Sequence, residues 1–369
     1  MQLSDRIQSV RRVMEREKLD ALVAAASAAH SVGRNDPVFH LSGHRPLGPS
    51  LLVLRADGTS RLILSPAHDA ERAAERSRAT ELVATDDPVR EMQAALKDVR
   101  GDAIGTVNVA GMPHAMAARI DRALPGARAV DQPFHAATAA KTDEEIENAR
   151  KATWIAERGY QRLLENGRAG IPECDLALDL RFYMEGLGAD DNFLMFNASP
   201  HNHAVQPSST RTIAKGDIIL AEITPSYRGQ FTQICRTVSV GTPSNTLSDK
   251  YALVVSAMKE GIAAVKPGAP IGDACAGIDK VLSAEGYAQY CKPPYIRRRG
   301  HGLGFGSMVP GDVATDNPIV LEPNMFFVVH PNQYIPETGY LLCGEPVRVT
   351  STGVEVISQK MAELGVIPA

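Results

Sequence analysis

"GIPECD" runs from Gly170 to Asp175 and "GAPIGD" from Gly268 to Asp273, so the pattern G-x-P-x-x-D recurs at an offset of 98 residues. Each copy opens a helical stretch, from Pro172 to about Glu185 in the first case and over residues 271–286 in the second. A long helix signal precedes each copy. The first begins at the capping box Thr142-x-x-Glu145 and runs through about residue 166; the second covers residues 247–265. Strand signals follow each copy: 192–197, 217–227 and 231–241 after the first, 324–330 and 340–353 after the second. A repeated helix–helix–strand–strand order with a shared motif points to a duplicated half-domain. Two such halves, closed face to face, enclose one site between their sheets.

The chain ahead of this duplication reads differently. Ser4 caps a helix with Ile7, Val10 and Val13 on one face, and "DALVAAA" (20–26) follows as a strand. "PSLLVLRADGTSRLILSP" is a hairpin turning at Asp57-Gly58. Helix-like "VREMQAALKDV", strand-like "AIGTVNV" and a closing "ARAVDQP" complete a compact α/β domain over residues 1–135, leaving 141–369 for the second domain.

Composition narrows the function classes. The net charge of −4 gives no reason to expect nucleic acid or an anionic membrane as partner. No apolar run reaches spanning length, and the start lacks the apolar segment of a signal peptide. Five scattered cysteines without a C-x-x-C pair suit free thiols and a cytoplasmic location.

The chemistry sits where strands ought to be apolar. Glu222 interrupts "DIILAEI", Gln233 interrupts "FTQIC", His330 ends "FFVV", and Glu345 follows "LLC". Any one of these could be an outward-facing strand residue, but four in corresponding strands point to a shared central site, because a buried charge needs a partner or a purpose. "RGHGLGFG" (299–306) has alternate glycines without the strand–turn–helix context of a phosphate cradle. Tight backbone packing beside a cavity explains them better, with His301 as the side chain able to act there.

These pieces, with "KTDEEIENARKA", "YRGQFTQICRTVSVG", "LEPNMFFVVHP" and "VRVTSTGVEVI", resemble the creatinase / aminopeptidase P / methionine aminopeptidase superfamily over the whole chain. The resemblance implies an N-terminal creatinase-like α/β domain followed by a duplicated pita-bread catalytic domain, an α/β (α+β) architecture. Metal-dependent members carry two Asp, one His and two Glu as ligands. The matching positions here are Glu222, Gln233, His301, His330 and, counting back from Gly353, Gly344, with Glu345 one place later. A neutral Gln cannot bridge two cations as a carboxylate does, so no metal and no other cofactor is expected.

By that resemblance the expected activity is creatinase-like, a metal-independent hydrolysis of an amide, amidine or ureido C–N bond in a small substrate. His203 or His330 would serve as general acid/base, Glu222 would orient an imidazole or bind a cationic nitrogen, Gln233 would hydrogen-bond the reacting group, and His301 would polarise the substrate. His201, Glu345 and Arg299, together with neighbouring Arg297 and Arg298, are candidates for substrate binding. His44 and Arg45 occupy a place that in creatinase-like homodimers reaches the partner's active site. Met308 stands where the peptidases have a second His. The alternative is a mononuclear metal-dependent Xaa-Pro aminopeptidase or dipeptidase using Glu222, His301 and His330. A non-catalytic binding protein and a lyase using the same pocket are further readings.

Overall fold

A computed structural model describes residues 4–29, 31–306 and 309–369, which divide into two compact units, Met1–Thr142 and Asp143–Ala369. Met308 lies outside the described residues.

In the first unit, α1 (Asp5–Arg16) is capped by Ser4, whose side chain accepts from Ile7 N. Strand β1 (Ala21–Ala26) is followed by α2 (Pro37–Ser42), β2 (Ser50–Arg55), β3 (Ser60–Leu64), α3 (Ala70–Arg76) and β4 (Glu81–Ala84). Then come α4 (Pro88–Ala95), β5 (Ile104–Val107), α5 (His114–Ala123), β6 (Arg128–Ala129) and α6 (Asp131–Ala139). The strands form one sheet in the order β4-β3-β2-β1-β5-β6. β1 is apolar along its whole length because it is buried on both faces: Leu22, Ala24 and Ala26 join one core, Ala21, Val23 and Ala25 the other. The turn at Asp57-Gly58 closes as expected, with Gly58 at φ 92° and Asp57 accepting from Thr59 N. Helices α2, α3, α5 and α6 were not evident in the sequence. Their apolar faces are short, and sheet packing rather than intrinsic propensity holds them.

The second unit opens with α7 (Asp143–Asn166) and α8 (Glu173–Gly186), then β7 (Asp191–Ser199), β8 (Ile218–Tyr227), β9 (Gln230–Phe231) and β10 (Ile234–Val240). The second half supplies α9 (Asn245–Ala263), α10 (Gly272–Ala284), β11 (Gly300–Gly302), β12 (Phe326–Val329), the hairpin β13 (Gln333–Ile335) and β14 (Gly339–Leu341), β15 (Glu345–Val349), β16 (Val354–Val356) and β17 (Gly365–Ile367). The sheets run β17-β10-β8-β7 and β11-β12-β15-β16.

The repeated motif folds the same way twice. Gly170 and Gly268 both take positive φ, 91° and 84°. Gly170 N donates to Ile213 O while Ile213 N returns a bond to Ile171 O. Gly268 N donates to Leu321 O while Leu321 N returns one to Ala269 O. Glycine is required because the left-handed turn is costly for other residues. The expected single strand over 340–353 is instead broken into β14 and β15, with Gly344 between them forming a bridge with Cys235 of β10. No helix among the described residues is long and apolar enough to cross a membrane.

Candidate active site

Strand register decides which side chains share the pocket. β8 and β10 pair antiparallel with Glu222 opposite Cys235 and Ile223 opposite Ile234. Side chains alternate, so Glu222, Thr224, Gln233 and Cys235 stand on one face. From the other sheet, β11 and β12 bring His301 and His330 together, their rings edge-to-face at 5.4 Å between centroids. Asn332, two residues beyond His330 and at φ 42°, donates from Nδ2 to Glu222 Oε1 at 3.0 Å and ties the two sheets' residues into one site.

The glycines around His301 explain themselves sterically. A Cβ on Gly300 would strike the Val328 carbonyl and one on Gly302 the Val309 carbonyl, so only backbone fits beside the histidine.

Protonation follows burial. Glu222 is half-buried among apolar strand residues; that desolvation pushes its pKa up to about 7, against the opposing pull of Asn332 and Arg298. Burial lowers His301 to about 4 and holds His330 well below the usual imidazole range, so both rings are neutral near pH 7. His301 Nδ1–H donates to Gly302 O at 2.9 Å, which leaves Nε2 as a free lone pair. Gln233 donates to Thr224 Oγ1 at 3.1 Å. Among the described residues, the buried Gln233 Oε1, Asn332 Oδ1 and His330 Nδ1 have no hydrogen-bond partner. A near-neutral acid flanked by unpaired acceptors can shuttle a proton and receive a donor-rich group.

Several expected site residues lie elsewhere. Glu345 points away from the pocket: a Cβ on Gly344 would meet His330 Cβ at 2.7 Å, whereas Glu345, one strand position on, pairs with Arg236 at 3.1 Å and accepts from Ser358. Arg299 is 1% exposed, and Asp279, the Pro331 carbonyl and Gln333 engage its guanidinium, leaving nothing for a substrate. His44 has no exposed surface and donates from Nε2 to Asp69 at 3.1 Å, so it cannot touch a substrate without the fold opening. Arg45 packs its guanidinium over the Phe39 ring. His201 and His203 sit against Tyr334, which also contacts Tyr290 and Tyr295, in an aromatic layer next to the Asn332 segment. His203 stacks on Tyr334 at 6.0 Å and meets His201 at 5.4 Å between ring centroids, and among the described residues no hydrogen bond or ring contact joins it to Glu222, Gln233, His301 or His330.

Asn332, Thr224 and Tyr334 were missed in the sequence. An Asn directly after His-Pro was the available signal for Asn332, since Asn tolerates the left-handed turn that re-aims its amide.

A family model for metallopeptidase family M24 matches residues 147–355, and one for the creatinase/prolidase N-terminal domain matches 6–138. The chain belongs to metallopeptidase family M24. An uncharacterised Bacillus subtilis peptidase, YqhT, is 33% identical over 61% of this chain, and the matched stretch spans 63% of that relative. A Pyrococcus furiosus Xaa-Pro dipeptidase is 24% identical over 98% of this chain and 100% of its own length. The Pyrococcus horikoshii prolidase superposes with a TM-score of 0.84 at 20% identity, covering 98% and 100% of the two chains, which shows a shared fold.

These relationships overturn the expectation of metal-independent cleavage of a non-peptide C–N bond, because the family is one of peptidases and its full-length relative is named for dipeptides. The metal implied by the family name does not fit the donors present. Gln233 offers a neutral amide oxygen where a bridging carboxylate is needed, Gly344 has no side chain, and among the described residues no three of His, Cys, Asp or Glu gather to hold a metal ion.

Proposed function

We propose that this M24 member is a hydrolase of small peptides of the Xaa-Pro type, acting at the Glu222–His301–His330 pocket. The observation that carries the reading is the end-to-end similarity to an Xaa-Pro dipeptidase, joined to a half-buried acid, Glu222, poised near neutrality beside His301 and His330. Glu222 takes the proton of the attacking water as a carboxylate and returns it to the leaving nitrogen. Asn332 holds one of its oxygens so that the other faces the reacting atoms. Gln233 Oε1 and Asn332 Oδ1, without a partner among the described residues, receive the substrate's N–H groups, and the lone pair on His301 Nε2 accepts from the water.

The test is a panel of Xaa-Pro dipeptides and Pro-free controls, assayed for free proline with chelator and with each of several divalent cations added. Release of proline that Glu222→Gln abolishes supports the reading; no release under any condition overturns it. A second reading, a pocket that binds small peptides without cleaving them, is favoured by the absence of acidic side chains at Gln233 and Gly344. Calorimetric binding without turnover would establish it.

A further inference from the structure

We infer that Arg299 is a positioning residue for Glu222: its buried guanidinium holds the Pro331 carbonyl, and through it the left-handed Asn332 whose amide fixes the acid. The inference rests on the hydrolase reading above.

Arg299 directly precedes β11. Its carbonyl accepts from His330 N at 2.9 Å, and its own backbone N–H donates to Val313 O at 2.8 Å. The side chain turns into the interior, where a guanidinium needs a full set of partners. Asp279, half-buried on α10, accepts from Nε at 2.8 Å and lies 2.7 Å from Nη2. With that edge fixed, the other donors are aimed at the segment behind His330. Nη1 donates to Pro331 O, and Nη2 donates to Gln333 Oε1 at 3.0 Å.

These two acceptors flank Asn332. Proline has no N–H, so its carbonyl is the one backbone group by which residue 331 can be held. The Pro331 carbonyl and the Asn332 nitrogen belong to one planar peptide, so a donor fixed on that oxygen fixes the plane from which Asn332 turns. On the other side, Gln333 donates to Tyr290 O at 3.2 Å and pairs with Leu341 in the β13–β14 hairpin. Asn332 is thus gripped from both sides at φ 42°, a sparsely populated conformation that persists where the surroundings over-determine it. That turn carries its Nδ2 to Glu222 Oε1 at 3.0 Å.

A comparison with Arg236 separates positioning from plain structural pairing. Arg236 also has a carboxylate partner, but its carbonyl acceptors are those of Cys235, Gly344 and Lys360. The carbonyl held by Arg299 lies between two pocket residues, His330 and Asn332. A shift at Pro331 passes through one peptide unit to the amide that orients Glu222, and a small misplacement of a reacting group costs rate.

The experiment measures kcat and KM for an Xaa-Pro dipeptide in Arg299→Met, alone and in an Asn332→Gly background. Glycine accepts the left-handed turn but has no amide to offer. With Asn332 present, Arg299→Met is expected to lower kcat about tenfold, the size of one hydrogen bond lost at a charged group. In the Asn332→Gly background the same substitution is expected to change kcat by less than about twofold, because the group it positions is gone. Arg299→Lys keeps the charge without the planar fork and is expected to lose about threefold by the same route. It carries the comparison if Arg299→Met does not fold. Equal losses in the two backgrounds, or no loss with Asn332 present, overturn the inference. If the wild-type protein turns over no peptide, the hydrolase reading fails on its own, and the geometry is read from the side-chain amide resonance of Asn332, identified by its absence in Asn332→Gly. Arg299→Lys is expected to move that signal toward the position it takes in Glu222→Ala. A signal that Glu222→Ala moves and Arg299→Lys does not overturns the inference.

Discussion

Two groups of buried polar residues lie on opposite sides of the β10–Gly344 junction, one strand position apart, and they are solved differently. On one side Arg236 and Glu345 form an ion pair at 3.1 Å, with Arg236 also donating to the Gly344 carbonyl and Glu345 accepting from Ser358. On the other side stand the half-buried Glu222 with Gln233, Asn332 and His330, the last three each with a polar atom that has no partner among the described residues. A buried ion pair of this kind is a structural clamp. A cluster with unused acceptors and an acid near its midpoint at pH 7 carries a cost in stability that suits a site awaiting a ligand.

The largest expected effect is on the clamp. Glu345→Ala leaves Arg236 as an uncompensated buried charge and should cost about 3–5 kcal/mol in urea unfolding, whereas replacing both partners with apolar residues should recover most of that. If the single variant were as stable as wild type, the contrast between the two sides would collapse.

Next comes Glu222→Gln on the pocket side. Its folded pKa lies above its unfolded value of 4.5, so its contribution to stability is complete below pH 4.5 and is lost as pH rises through about 7. Relative to wild type, the variant should gain about 3 kcal/mol between pH 4 and pH 8, because a proton held only by the folded chain is worth about 1.4 kcal/mol for every pH step it spans. Peptide turnover should fall about 10²-fold or more in the same variant. His301 acts in the opposite sense. With its pKa lowered to about 4, its contribution is present above pH 6.5 and is lost as pH falls toward 4. The wild-type profile therefore stays flatter than that of Glu222→Gln, in which the His301 contribution is left unopposed, and thermal melts across pH 4–8 read the separation.

A smaller effect is expected at the junction itself. Gly344→Ala places a Cβ 2.7 Å from His330 Cβ and 3.1 Å from Cys235 Cβ, and overpacking of this kind costs about 1–3 kcal/mol. Smallest is Tyr334→Ala at the edge of the pocket, which removes the centre of the aromatic layer and should cost about 1 kcal/mol. Faster amide exchange confined to residues around 201–203 and 290–295 would show it; uniform exchange would assign the layer no local role.

Much of this was legible in the chain before any coordinates. The G-x-P-x-x-D repeat, the apolar strands and the caps at Ser4 and near Thr142 carry local signals, because propensity, turn chemistry and side-chain alternation act over a few residues. Glu222, Gln233, His301 and His330 were conspicuous because polar groups inside apolar strands demand a reason. Glu345 and Arg299 were conspicuous for the same cause and proved to be interior ion-pair members.

Sequence alone determined the duplicated architecture, the family and the set of polar residues that had to be accounted for. Only the tertiary structure decided which of them share a cavity. A one-residue step along β15 turns Glu345 to the far face, and a left-handed Asn332 turns its amide onto Glu222. Pairing between residues about a hundred positions apart, such as Arg236 with Glu345, follows from how two sheets meet. No local pattern encodes that meeting, because the partners of a buried charge are chosen by packing rather than by neighbours in the chain.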